Sequence, residues 1–240
     1  MLSTRNDVKR YFDRVPLQWD SLYCRDYPLR HFFNRVFRRA IFERFKLTFA
    51  HCGEISGMSV LDVGCGTGQY SLEFVKRGAA RVVGLDFSSS MIDFCRRAAE
   101  QRGISDRCEF ICDNFESHPF QDQFDIVIAI GFFDYVDRPE TILRKVAAIT
   151  KRRFLASFPS NGFFWRFHRS VRYGWIKGCQ VHEYSAELLD SLYKNAGFPF
   201  HRPIRLTRGI FMVAGQDGGA NRRRNEQRNG VVEPRGDSKS

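Results

Sequence analysis

The sequence lacks any long apolar run. Its longest, Ile126 to Phe133, covers only a fraction of the roughly 20 residues a bilayer-spanning helix needs, so no membrane span is expected. The opening residues, MLSTRNDVKRYFDRVP, hold no apolar core of a secretory signal, and secretion is not expected either. Cysteine is scattered: Cys24, Cys52, Cys65, Cys95, Cys108, Cys112 and Cys179 form no CxxC pair and stand at no zinc spacing with histidine. A disulfide framework and a metal site are therefore not expected, and the cysteines read as reduced core residues of a cytoplasmic protein. Apolar material is not what is missing. With 43% hydrophobic and 15% aromatic residues in 240, the chain carries too much apolar surface to be disordered throughout, and its length suits one domain with appendages.

Acidic residues are scarce at both ends. Residues 1–50 hold 11 basic and 5 acidic side chains, residues 151–240 hold 17 and 7, and residues 51–150 reverse the balance with 10 and 15. The net charge of +11 thus flanks an acidic middle, a pattern that fits a local anionic partner better than nucleic acid coated along its length. Solvation of an arginine-rich surface accounts for the same pattern.

Between residues 58 and 160, β-branched runs alternate with helical patterns, the signature of parallel βαβ units. The pattern predicts strands at Ser59–Val63, Arg81–Asp86, Glu109–Cys112, Asp125–Ile130 and Arg153–Phe158. Helices are expected over Tyr70–Arg77, Ser90–Arg102 and Pro139–Ile149. A further helix follows Ser185 as N-cap and stops at Gly197, before an antiparallel edge pair at Ile204–Thr207 and Ile210–Ala214. The expected fold class is α/β, a Rossmann-like doubly wound sheet, mostly parallel, with an antiparallel C-terminal edge pair and a helical N-terminal cap.

The expected domain organisation is that cap over residues 1–50, a ligand-binding domain over 51–215 with an insertion at 160–184, and a disordered basic tail over 216–240. From Leu29 to Phe49 apolar residues recur at helical spacing through Phe32, Phe33, Val36, Phe37, Ala40, Ile41 and Phe45. Arg30, Arg35, Arg38, Arg39, Arg44 and Lys46 are assigned to the opposite face. Such a helix packs on its own domain or, in the rival reading, makes peripheral contact with a membrane surface through 29–49.

The strongest local signal is VLDVGCGTGQY, residues 60–70, where a buried strand turns into a helix. Gly64, Gly66 and Gly68 let the backbone approach a ligand at the helix N-terminus. A dinucleotide fingerprint needs a small residue three positions after its second glycine, where this chain has Gln69. Asp62, just before the glycines, would repel a pyrophosphate. This form suits a nucleoside ligand with an amino group and no phosphate.

On these residues the chain resembles the class I S-adenosylmethionine-dependent methyltransferase superfamily, whose first motif matches Asp62, Gly64, Gly66 and Gly68. The resemblance implies S-adenosylmethionine as cofactor and methyl transfer as the reaction. It makes Asp86, closing VVGLDFSSSM, the ribose-binding acid, although a strand-end Asp also serves as a helix cap with Ser88 or Ser89. Asp113 and Asn114 in FICDNF match the position that contacts adenine. Phe87 and Phe115 are candidates to sandwich the ring, or else ordinary core. In FDIVIAIGFFDYVDRPE, Ile130 and Gly131 would line the cofactor and Phe132 to Val136 would face the methyl donor.

The acceptor is narrowed by absences and by one insertion. No Asn/Asp-Pro-Pro-Tyr/Phe element stands where the chain has GFFD, so DNA is not expected as substrate. The insertion interleaves Phe163, Phe164, Trp165, Phe167, Tyr173 and Trp175 with Arg166, Arg169, Arg172 and Lys177. Aromatic walls with basic heads suit a small, apolar or planar, anionic acceptor, and a helical lid with core aromatics is the alternative. Methylation of oxygen would use a general base, for which Asp134, Tyr135 and His182 are candidates together with Glu183 and Tyr184. The segment RYFDRVPLQWDSLY is similar to the entry segment of ubiquinone-pathway and magnesium-protoporphyrin methyltransferases, which implicates Tyr11, Trp19 and Tyr23 over the cofactor. A nucleic-acid or protein methyltransferase, suggested by Arg222, Arg223 and Arg224, and a non-catalytic cofactor-binding subunit remain as alternatives.

Overall fold

The computed structural model describes residues 31–136, 138–159 and 184–216, with side chains from residue 39 onward. Tyr11, His182, Glu183, the 160–184 insertion apart from Tyr184, and the tail after Gln216 lie outside the described residues. Among the described residues the order is α1 (His31–His51), β1 (Ser59–Val63), α2 (Gln69–Lys76), β2 (Arg81–Asp86), α3 (Ser89–Glu100), β3 (Cys108–Cys112), β4 (Phe124–Ala129), α4 (Pro139–Ile149), β5 (Thr150–Phe158), α5 (Ala186–Asn195), β6 (Phe200–Leu206) and β7 (Gly209–Gly215). A short 3-10 turn, Phe133–Tyr135, follows β4.

The strands form one sheet in the order β3-β2-β1-β4-β5-β7-β6. The first five run parallel, while β7 is antiparallel to both β5 and β6. The fold is the expected Rossmann-like sheet. Strand order reverses between β1 and β4, and open α/β sheets take ligands at the carboxyl ends of strands flanking such a switch.

Alternation along the strands splits the core into two layers, because successive side chains point to opposite faces. Leu61, Val63, Val83, Leu85, Val127, Phe154 and Met212 face α4 and α5. Val60, Val82, Ile126, Ile128, Leu155 and Phe211 face the other way, with Phe74 of α2 and with Phe45 and Phe49 of α1. Both faces being covered, the strands read as nearly continuous apolar runs. An aromatic seam docks α1: Phe45 and Phe49 lie 5.3 and 6.3 Å from the Tyr70 ring, and Phe49 lies 4.8 Å from Phe74. Among the described residues no helix is long and apolar enough to cross a membrane.

Three expectations are corrected here. β5 starts at Thr150 rather than Arg153, because Thr150 already pairs with Phe124 while the Lys151–Arg152 heads hide a strand in a charged string. β6 starts at Phe200 rather than Ile204. It is the edge strand, where Pro203 needs no amide proton for a neighbour, so HRP belongs to the sheet instead of a turn. Cys112 is exposed at the end of β3, unlike the buried Cys52, Cys65 and Cys95, and none of the five described cysteines forms a disulfide.

Candidate functional site

The loop between β1 and α2 turns on three glycines in the left-handed region, Gly64, Gly66 and Gly68, at φ of 70°, 53° and 75°. They do different work. A Cβ on Gly64 would stand 2.9 Å from Phe132 Cδ2, and one on Gly68 would stand 2.9 Å from Cys95 Sγ. A Cβ on Gly66 would meet nothing within 4 Å among the described residues. The outer two glycines are required by the protein's own packing, while the middle one borders open space at the strand ends.

Two carboxylates hold this loop. Asp62, only 2% exposed, accepts a hydrogen bond from Ser71 Oγ of α2 at 2.7 Å, joining strand to helix across the glycines. Burial, reinforced by the charge of Asp86, pushes the Asp62 carboxyl up to about 7. Asp86 accepts from Gly66 N through Oδ2 and from Ser88 N through Oδ1, each at 2.9 Å. It therefore ties the first loop to the second. Ser88, not Ser89, is the N-cap of α3, its Oγ accepting from Met91 N. The sequence left ribose acid and cap device open for Asp86; the structure assigns the cap to its neighbour and gives Asp86 both amides.

At the end of β3, Asp113 N donates to Asp86 O at 3.0 Å, so the third loop hangs on the second. Asp113 Oδ1 accepts from Asn114 N at 2.7 Å, and Oδ2 lies 2.8 Å from His118 Nδ1. The His118 bond, with the Asn114 amide next, holds the Asp113 carboxyl below the usual carboxylate range. Phe87 is half-buried beside Asp86, where a ring can border the same space. Phe115 is not available to do so. It is 2% exposed in the core, edge-on to Phe132 at 6.0 Å and beneath the Lys145 ammonium, because the loop turns its side chain inward.

After β4, Ile130 and Gly131 are half-buried, and Gly131 N donates to Ser157 Oγ of β5 at 2.8 Å. Phe132 packs over Gly64. Asp134 and Tyr135 follow on the 3-10 turn, half-buried, at the carboxyl end of β4. The expectation that all of Phe132 to Val136 faces the methyl donor does not hold. Phe133 is fully buried and stacked on Phe158 at 4.3 Å, and Val136 is core, since a 3-10 turn sends its third-residue neighbours to one side. Tyr184 is likewise a structural residue: it is 3% exposed and its hydroxyl donates to Val136 O at 3.3 Å.

One residue was assigned to the wrong face. Arg44 lies on the inward stripe of α1 with Ile41, Phe45 and the fully buried Thr48, at i, i+3, i+4 and i+7 from Ile41. Its Nη1 is 3.7 Å from where a Cβ on Gly131 would stand, and its buried Nε has no hydrogen-bond partner among the described residues. The spacing from Ile41 was the available signal. The neighbouring Glu43 accepts from Thr207 N, fixing α1 against the β6–β7 turn. Among the described residues no group of three or more His, Cys, Asp and Glu side chains could hold a metal.

The strand order and the glycine–carboxylate rim define a Rossmann-like domain with acids at successive strand ends and a cation opposite. The methyltransferase-domain family matches residues 60–153. Over 123 residues the chain is 32% identical to the sterol 24-C-methyltransferase ERG6B of Gibberella zeae, which covers 51% of this chain and 32% of that protein. Over 98 residues it is 35% identical to a ubiquinone biosynthesis O-methyltransferase of Coxiella burnetii, covering 40% of this chain and 41% of that one. The chain thus spans well under half the length of these curated relatives. Magnesium protoporphyrin IX methyltransferase from Synechocystis PCC 6803, solved with bound SAM, shares the fold at a TM-score of 0.72 and 18% identity, covering 90% of this chain and 99% of that one. The family match and these relatives support the resemblance of residues 60–153 to the class I S-adenosylmethionine-dependent methyltransferases.

Proposed function

We propose that the chain transfers a methyl group from S-adenosylmethionine to an oxygen of a small, apolar or planar, anionic acceptor. The observation that carries the cofactor half is the open space over Gly66 among the described residues, with Asp86 holding the Gly66 amide, Asp62 buried at the start of the same loop, and β4 and Arg44 across the switch point. These residues fit a nucleoside with an amino-acid tail. Asp86 at the end of β2 would accept from the ribose hydroxyls. Asp113 and Asn114 take the adenine edge, with Phe87 on the ring and Ile130 on the opposite wall. The Asp62 carboxyl, poised near neutrality, ionises as an ammonium approaches, and Arg44 supplies the missing counterpart of a carboxylate through the buried Nε.

When bound, the cofactor supplies a methyl carbon activated by its sulfonium. The remaining work is alignment and exclusion of water. Ile130 and Phe132, both half-buried at the end of β4, would shield the methyl donor from water, and Tyr11 would close over it. Asp134 or Tyr135 at the end of β4, or His182 ahead of α5, would take the acceptor proton. For the acceptor class, the support is the aromatic–basic composition of residues 160–184 and the names of the relatives, a sterol 24-C-methyltransferase and a ubiquinone biosynthesis O-methyltransferase. Cytoplasmic location is part of the same proposal, whereas Phe45 and Phe49 of α1, docked on Tyr70 and Phe74, favour packing on the domain over contact of 29–49 with a membrane surface.

The test is incubation of the full chain with methyl-labelled cofactor and a metabolite extract, with mass identification of the product. A labelled methyl ether or ester of an apolar acid is the expected result. Label appearing only in protein or RNA would overturn the acceptor class. Cofactor binding without any labelled product would overturn the enzyme reading.

A further inference from the structure

The loop after β3 contains a device that the cofactor motif does not account for. Lys145, from the middle of α4, donates to three backbone carbonyls of one turn: Phe115 O at 2.7 Å, Glu116 O at 2.9 Å and His118 O at 2.6 Å. Its ammonium also lies over the rings of Phe115 and Phe120 at 5.2 and 5.4 Å. The same turn is closed internally by His118 N and Ser117 N, both donating to Asn114 O. Its last residue, His118, stands edge-on against Phe120 at 4.6 Å and turns Nδ1 to Asp113 Oδ2 at 2.8 Å. The His118 side chain is 19% exposed and that of Asp113 is 42% exposed, so the ring backs the carboxylate while the carboxylate faces outward.

We propose that His118 is a positioning residue that sets the Asp113 carboxylate for recognition of the adenine 6-amino group, with Lys145 anchoring the turn that carries it. The inference rests on the reading of Asp113 as the adenine-contacting acid. An ionised carboxylate only accepts, so the proton of the bond lies on His118 Nδ1. Asn114 N occupies one Asp113 oxygen and His118 the other, which fixes the χ angles of an otherwise exposed, freely rotating side chain. Each oxygen keeps a lone pair, and an incoming amino group finds an acceptor already oriented.

The test compares two ligands by calorimetry on the full chain: S-adenosylhomocysteine, and its analogue with hydrogen in place of the 6-amino group. The ratio of their dissociation constants reports recognition of the amino group alone, and a folding defect scales both equally and leaves it unchanged. In the native protein the ratio is expected to favour the amino compound by about tenfold, the worth of one hydrogen bond to a charged group. His118→Phe is expected to reduce the ratio to about 2, and Asp113→Ala to about 1. His118→Asn, which returns an N–H near the place of Nδ1, is expected to restore most of it. If His118→Phe keeps the native ratio while Asp113→Ala loses it, the positioning role falls and the adenine reading of Asp113 stands. If Asp113→Ala keeps the ratio, both fall. If His118→Asn is as poor as His118→Phe, the donated hydrogen bond is not what His118 contributes, and the proposal is overturned.

Discussion

The carboxyl edge of the sheet has two rims of different construction. On the β1–β3 side each carboxylate is bonded to backbone amides of its own or the next loop: Asp86 to Gly66 and Ser88, Asp113 to Asn114. On the β4–β7 side the groups come from distant parts of the chain. Arg44 arrives on α1, Ser157 of β5 receives the Gly131 amide, and Glu43 receives Thr207 N across 164 positions. The first rim is held by hydrogen bonds between neighbouring strand-end loops and so is set before any ligand arrives. In the second, Arg44 and Glu43 take their places only through the docking of α1 on Tyr70 and Phe74.

The sharpest way to break this contrast is at the glycines. Gly66→Val is expected to lower cofactor affinity by more than about 100-fold through intrusion into ligand space, whereas its own cost to the fold is that of a left-handed non-glycine, about 1–2 kcal/mol. Gly68→Val would collide with Cys95, so its main effect should be a lower melting temperature. Calorimetry with thermal unfolding separates the two, and equal loss of binding and of stability in both variants would mean that Gly66 does not border the ligand.

Asp86→Ala comes next. It strands two loop amides and removes the ribose acceptor, for an expected loss of about 1–3 kcal/mol in cofactor binding, with a lower melting temperature as well. Unchanged affinity would remove Asp86 from the site.

On the other rim, Arg44→Met should weaken the cofactor by about 10–30-fold while leaving the ligand-free melting temperature level or higher, since a buried donor without a partner contributes no stability. A large drop in melting temperature with unchanged affinity would show instead that Arg44 is a packing residue.

The smallest effect is the pH response of Asp62. Its folded value, about 7, lies above the ordinary carboxyl range, so between about pH 4 and pH 7 the folded state holds a proton the unfolded state has lost. Ligand-free stability should therefore fall as pH rises through that window, and Asp62→Asn should lack this part of the slope. Cofactor binding should run the other way, tightening by at most about tenfold between pH 6 and pH 8 as the carboxylate ionises toward the ammonium. Binding that is flat across this range would leave Asp62 a purely structural partner of Ser71.

How much of this was legible follows the same division. The strand at Ser59–Val63, the N-cap at Ser185 and the glycine turn are written in contiguous residues, and the structure has them at those positions. The starts of β5 and β6 were hidden because Lys151, Arg152 and Pro203 carry the chemistry of turns, while their strand state comes from pairing partners far away in the chain. Arg44 was placed with the solvated arginines because composition favours that face. Phe133 and Phe115 looked like cofactor neighbours because adjacency in sequence says nothing about which way a turn sends its side chains.

By itself the sequence determined the fold class, the position of the switch-point loop and the acids at the ends of β1, β2 and β3, because periodicity and turn chemistry act over a few residues. Tertiary structure alone decided that Asp86 binds two loops at once and that only the middle glycine borders open space. It also turned one arginine of α1 inward to Gly131 and brought a lysine of α4 to hold the loop that aims Asp113. Each of those is a contact between elements, and burial, not local preference, selects it.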